Sequence, residues 1–127
     1  MNNILLVMGG GAVGALARYQ LGRFAGHMLP GAQWPWGTFA ANVLGGFAMG
    51  LLAGWLARFG SASGEALRLL LAVGLLGGFT TFSSFSLETV LMIERGQLVM
   101  AMSYAVLSVI AAVGALVLGL GMMRSVA

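Results

Sequence analysis

The sequence predicts an all-α integral membrane protein with four transmembrane helices. Three observations carry that prediction. Of the 127 residues, 60% are hydrophobic and only 7% are charged, where a soluble domain carries about 25% charged residues. The sparse charges and turn residues divide the chain into four apolar stretches, each long enough for the roughly 20 residues of helix that cross a bilayer. The third stretch carries a hydroxyl-rich run, GLLGGFTTFSSFSLE from Gly74 to Glu88. Such a run is costly at bilayer depth unless it faces protein or a water path.

The first span is expected from about Asn3 to Phe24. Its lead-in, MNNILLVMGG, has no basic start and no recognisable processing site, so it reads as the beginning of a helix rather than a cleaved signal. Ala25 to Pro35 reads as a link, with His27, Pro30, Gly31 and Pro35 as breakers. The second span is expected from about Trp36 to Ala57, and RFGSASG, Arg58 to Gly64, as a loop. The third runs from about Glu65 to Ile93, longer than a straight crossing requires, with Gly77-Gly78 near its middle. Excess length, paired glycines and the polar residues that follow predict a broken helix, whose freed carbonyls suit a cation. Glu94-Arg95-Gly96 reads as a tight turn, and the fourth span runs from about Gln97 to Met123, closed by Arg124. Residues 1–127 form one membrane domain, with Trp34, Trp36 and Trp55 near span ends, where interfacial anchors sit.

Glycines recur at four-residue spacing: Gly10/Gly14, Gly22/Gly26, Gly46/Gly50/Gly54 and Gly74/Gly78. Small faces of this kind let helix backbones approach closely. Four short helices alone bury little, so a second copy of the chain is the simplest expected partner. Both termini of a four-span chain lie on one side. Arg58, Arg68 and Arg124 fall on that side; Arg23 and Arg95 fall on the other, with Arg18 inside the first span toward it. Positive charge normally sets orientation, and this balance sets none, which predicts insertion both ways and an antiparallel dimer.

Composition also excludes. Six arginines oppose three glutamates, and Lys and Asp are absent. The arginines are scattered singly, so no basic patch offers a footprint for nucleic acid. Without Cys there is no disulfide or thiol nucleophile, and the single His27 cannot build a metal site alone. Gly9 to Gly14 spells G-x-G-x-x-G, but no strand precedes it and it lies inside a span, so it reads as helix packing.

The candidate site residues are polar or aromatic groups at membrane depth. Asn42 carries an amide suited either to joining helices or to donating to an anion. Phe82 and Phe85 share a helix face, threaded with Ser83, Ser84 and Ser86. Their ring edges are electropositive, so the pair either packs or meets an anion weakly enough to release it. Tyr104 and Ser108 lie one turn apart on the fourth span, as a hydroxyl track or as an interfacial Tyr beside a Ser bonded to its own helix. Arg18 either draws anions into a vestibule or snorkels. Glu88 either organises the polar run with Thr81, relays protons, or pairs with Arg18. No nucleophile–base pair appears, so the set suits transport of a small anion and not catalysis.

The run GGFTTFSSFSLET, with WGTFAAN upstream and GGGAVGALARY near the start, resembles the fluoride channels of the Fluc/CrcB family, whose pattern resembles G-G-x-T-T-F-S-[TS]-F. The likeness covers nearly the whole chain. It implies an antiparallel, dual-topology homodimer in the cell inner (plasma) membrane, with two pores that passively export fluoride from the cytoplasm. By motif position it implies that Phe82 and Phe85 are pore phenylalanines, Asn42 a pore asparagine and Arg18 a vestibule arginine. Thr38 matches a polar residue near the start of the second span, and Glu88 the carboxylate after the Phe motif. Gly77 and Thr80 match positions whose carbonyls hold a structural sodium ion that is not transported. Tyr104 and Ser108 match the upper hydroxyl track, while Ala112 and Leu116 stand where some members carry Ser and Thr, which shortens the track. Two other classes share the outline: a small four-helix proton-coupled multidrug exporter, whose coupling carboxylate would have to be Glu88, and a non-transporting membrane scaffold.

Overall fold

A computed structural model describes residues 2–60 and 64–125. The first helix, α1, spans Asn3–Met28. It begins where Asn2 caps it, the Asn2 side-chain oxygen accepting from the Ile4 N–H at 2.9 Å. It continues past the expected end at Phe24, because nothing before Pro30 denies it a donor and Leu29 N–H still reaches the Ala25 carbonyl at 2.9 Å. His27 is therefore in the last turn and not a breaker. Pro35 directly precedes α2, Trp36–Phe59, a place where its missing N–H costs nothing. The loop expected over Arg58 to Gly64 includes residues 61–63, outside the described residues.

The third stretch starts as a short helix, α3, Gly64–Leu67. A π-helical segment, Arg68–Leu76, follows, and its wider winding takes up part of the excess length. One further turn, α4, covers Gly77–Phe79. Thr80 (φ −87°, ψ 158°) and Thr81 (φ −153°, ψ 125°) are extended, and α5 resumes at Phe82–Glu94. The glycine pair is thus not where the winding stops: Gly77 is helical, at φ −62° and ψ −38°. At Thr80 the helical bond is still made, its N–H reaching the Leu76 carbonyl at 3.0 Å, and its Oγ1 donates to the same carbonyl at 3.0 Å. Thr81 starts the next helix for a chemical reason: its Oγ1 accepts from the Ser84 N–H at 3.1 Å and caps α5.

The turn before the fourth span has a defined form. Gly96 takes φ +80°, the Gln97 N–H reaches the Met92 carbonyl at 2.9 Å, and the Gly96 N–H reaches the Ile93 carbonyl at 3.0 Å. These are the paired bonds of a glycine-terminated helix. The last helix, α6, runs Leu98–Ser125.

Two glycine-mediated seams organise the bundle. In one, α1 lies on the π-helical segment and α4. A methyl at Gly10 would meet the Leu75 nitrogen at 2.9 Å, and one at Gly78 the Gly11 oxygen at 2.6 Å. In the other, α2 lies on α6, where a methyl at Gly46 would sit 2.7 Å from the Ala112 oxygen and one at Gly119 would sit 3.0 Å from the Leu51 nitrogen. Contacts this short admit only hydrogen on one side. Gly22 and Gly26, at the same sequence spacing, face open space. The buried apolar set is small, with Tyr104 and Met92 its largest members, and Trp34, Phe39, Phe85 and Met100 pack around them. Most other large apolar side chains point outward along four helices long and apolar enough to cross a membrane.

Candidate functional site

The extended pair Thr80-Thr81 is the centre of the site. An extended residue inside a span needs partners for its N–H and C=O that the helix no longer supplies. Asn42, on α2, supplies both for Thr81. Its Oδ1 accepts from the Thr81 N–H at 2.9 Å, and its Nδ2 donates to the Thr81 carbonyl at 3.1 Å. Of the two roles open to Asn42 in the sequence, the joining of helices is present in the structure. Its second amide hydrogen has no partner among the described residues. Across the interruption, no backbone N–H among the described residues bonds the Gly77 or Thr80 carbonyl. The Gly78 carbonyl takes the Arg18 Nε–H, at 3.4 Å. Arg18 is half-buried on α1 and turned toward this backbone.

Beside the interruption lies a cavity of about 380 Å³. One part of its wall is polar or aromatic: Asn42, Thr80, Thr81, Phe82, Phe85 and Ser108. The rest is apolar, formed mainly by Met49, Val109, Ala112, Val113 and Leu116, with Gly45 and Gly46. The Phe82 and Phe85 rings touch, with centroids 5.6 Å apart and planes at 41°. Phe82 is 78% exposed, whereas Phe85 leans on Tyr104 at 5.1 Å. Ser108 is 6% exposed, and its hydroxyl has no partner among the described residues. A Ser bonded to its own helix, one reading of the sequence, is therefore not what the structure contains. A buried hydroxyl left unpaired costs about 1–3 kcal/mol, so Ser108 is a donor in need of an acceptor.

On the far side of Tyr104 from Ser108, a second polar group forms around Glu88. Thr38 Oγ1 donates to Glu88 Oε2 at 2.8 Å, and the fully buried Tyr104 hydroxyl donates to Glu88 Oε1 at 2.9 Å. Glu88 thus joins α2, α5 and α6. It does not pair with Arg18; the one ion pair among the described residues is Arg68 with Glu65. Trp34 packs edge-on against Tyr104 at 5.3 Å.

The hydroxyl run is less available than its sequence suggests. Thr80, Ser86 and Thr89 each donate to the carbonyl four residues back, of Leu76, Phe82 and Phe85. Thr81 caps α5 and lies 3.3 Å from the Ser83 hydroxyl. Ser83 and Ser84 remain as candidates, both at the N-terminal turn of α5, where the helix dipole favours negative charge. The structure brings Asn42, Thr81, Phe82, Phe85 and Ser108 to one cavity, and Thr38, Glu88 and Tyr104 to one adjoining network. Sequence reading missed Met49, Val109 and Val113, which are ordinary apolar residues until the fold places them on the cavity wall. Projecting α6 by helical turns from Ser108 would have found Val109 and Val113 beside Ala112.

The sequence has relatives among known proteins. A family model described as CrcB-like protein, Camphor Resistance (CrcB), matches residues 5–120. The chain is 59% identical over 126 residues to the fluoride-specific ion channel FluC of Phenylobacterium zucineum, covering 99% of this chain and 98% of that one. It is 57% identical over 119 residues to FluC of Novosphingobium aromaticivorans, covering 93% of each, and 54% identical over 126 residues to FluC of Caulobacter vibrioides, covering 99% of this chain and 98% of that one. On a match of this length and identity, the chain belongs to the CrcB family.

Proposed function

We propose that this protein is a fluoride-selective channel that lets fluoride leave the cytoplasm passively through the cell inner membrane. The observation that carries the reading is the cavity at Thr80-Thr81. Its polar wall is made of neutral donors and aromatic rings with no carboxylate, and it holds the unpaired, buried Ser108 hydroxyl. The names of the relatives, fluoride-specific ion channels, agree with it.

The chemistry follows from the residues. Fluoride is small and strongly hydrated, so a pore must replace its water with donors at close range. Ser108, the second amide hydrogen of Asn42, the Ser83 and Ser84 hydroxyls and the N-terminal end of α5 supply donors, and the Phe82 and Phe85 edges supply weak positive charge. No cationic side chain lines this cavity, which keeps binding loose enough for release. A wider halide fits a short row of closely spaced donors poorly. Thr38, Glu88 and Tyr104 hold α2, α5 and α6 in register beside the cavity.

The interruption of the third span is, in this reading, a helix break at bilayer depth, and it presents both kinds of helix end: carbonyls from α4 and N–H groups from α5. The carbonyl oxygens of Gly77 and Thr80, which take no backbone bond across the break, are hard donors that suit sodium. A sodium ion held by them, with the same pair from a second copy, would fix the break structurally. The outward-facing Phe82 and the near balance of arginines between the two sides support an antiparallel homodimer with two pores. Arg18, bonded to the Gly78 carbonyl through Nε, keeps its terminal nitrogens for a vestibule.

Fluoride efflux from liposomes holding only the purified protein, with sodium present, tests the reading against a matched chloride experiment. Rapid fluoride efflux with negligible chloride efflux is the expected result. Equal flux of both ions, or none from folded dimeric protein, would overturn it. Drug-driven proton flux in the same vesicles would point instead to an exporter working through Glu88.

A further inference from the structure

We infer that Asn42 is a positioning residue, whose carboxamide locks the backbone of Thr81 and thereby sets where α5 begins and where Phe82 stands. The inference deepens the channel reading and rests on it for its flux measurement alone.

The geometry has three parts. First, the two bonds between Asn42 and Thr81, at 2.9 and 3.1 Å, form a closed pair in which one side chain satisfies both backbone groups of one residue. A carboxamide has the oxygen and N–H of a peptide group, so Asn42 acts toward Thr81 as a neighbouring strand would. Second, Thr81 is the residue that caps α5, through Oγ1 and the Ser84 N–H at 3.1 Å. Any change in Thr81 moves the first turn of α5. Third, Phe82 follows directly and is 78% exposed, with the Phe85 ring as its aromatic contact at 5.6 Å. Little else in the chain holds Phe82, so its place is inherited from the backbone of Thr81.

The chemistry of the pair is selective. Aspartate at position 42 keeps the acceptor and loses the donor. Glutamine moves both by a methylene. Alanine leaves the N–H and C=O of an extended residue unpaired at membrane depth. A residue that only donated to a passing ion would need none of this complementarity with Thr81.

The test uses the full chain in lipid bilayers, with 4-fluorophenylalanine at position 82 as a spectroscopic label and no fluoride ion in the buffer. Two changes are compared: Asn42→Ala, and replacement of Thr81 by its α-hydroxy analogue, which turns the Thr81 N–H into an ester oxygen and leaves Asn42 untouched. We expect both to shift or broaden the label's fluorine resonance. In fluoride efflux without the label, we expect the ester to slow the rate about tenfold, the scale of one lost hydrogen bond at a barrier, and Asn42→Ala, which also removes the amide donor, to slow it at least as much. Combining them should cost little beyond Asn42→Ala alone, because they break one unit. A resonance unmoved by either change, or an ester that leaves efflux at its original rate while Asn42→Ala abolishes it, would overturn the inference and leave Asn42 as an ion donor only. The ester keeps every side chain, so it remains informative if Asn42→Ala fails to assemble. The resonance is read without any ion flow, so a chain that conducts no fluoride would sink the channel reading and leave this one standing.

Discussion

Tyr104 and Ser108 stand one turn apart on α6, and Ala112 and Leu116 continue the same line, yet the two ends of that line differ in kind. Around Tyr104 the hydroxyls have a common acceptor, since Thr38 and Tyr104 both donate to Glu88. Around Ala112 and Leu116 the cavity wall is completed by Met49, Val113 and Gly46, which bring no donor side chain. Ser108 sits at the junction, buried and without a partner. The upper end is therefore a satisfied network that holds helices together, and the lower end is apolar lining. Along this line of α6, the one hydroxyl without a protein partner among the described residues is that of Ser108. In the proposed channel, the contrast sets a free donor beside others that are already spent.

That contrast can be broken most severely at the aromatic pair. Phe85→Ile removes contacts to both Phe82 and Tyr104; we expect fluoride efflux to fall by about a hundredfold, near 2.7 kcal/mol at the barrier, with a lower melting temperature. Phe82→Ile should cut efflux comparably and lower the melting temperature less, because within one chain that ring is largely exposed. Equal melting losses in the two variants would erase the distinction between them.

Glu88→Ala attacks the upper network. It strands the Thr38 and Tyr104 hydroxyls, and we expect a stability loss of about 1–3 kcal/mol for each donor left buried, read by thermal unfolding in mild detergent. Ser108→Ala is the sharper probe of the junction. It removes a buried hydroxyl that satisfies nothing, so stability should hold or rise, while efflux falls by about tenfold. A stability loss in Ser108→Ala would show that the hydroxyl has a structural partner. The smallest effect is expected from Ala112→Ser, which extends the donors one turn downward and should raise efflux about twofold.

Much of this was legible in the sequence, for identifiable reasons. Charge and turn residues marked four spans because charged residues and Pro are rare within a helix that crosses lipid and cluster at its ends. The ends were less legible: α1 carries on through His27 because helix termination depends on donors and caps, which hydropathy does not report. The interruption of the third span was expected at Gly77-Gly78, but glycine only permits a helix to stop. The Thr81 hydroxyl, by capping α5 through the Ser84 N–H, fixes where the helix resumes. Bonds to carbonyls four residues back occupy the Thr80, Ser86 and Thr89 hydroxyls, which a count of hydroxyls cannot foresee. The pairing of Asn42 with Thr81 spans two helices and was visible in the sequence only as one of two uses for an amide. The apolar half of the cavity carried no signal beyond Ala112 and Leu116.

The glycine seams also have a genetic consequence. Between α2 and α6, Gly46, Gly50 and Gly119 each face the partner helix's backbone, and between α1 and the third stretch Gly10, Gly14 and Gly78 do the same. Every single-base change in a glycine codon that alters the residue without ending the chain adds a side chain. At these positions there is no mild substitution within reach: every available step wedges two backbones apart. A replication error that alters any of these six glycines therefore strikes the closing of the helices, and inherited variation in such a chain has to enter through other codons.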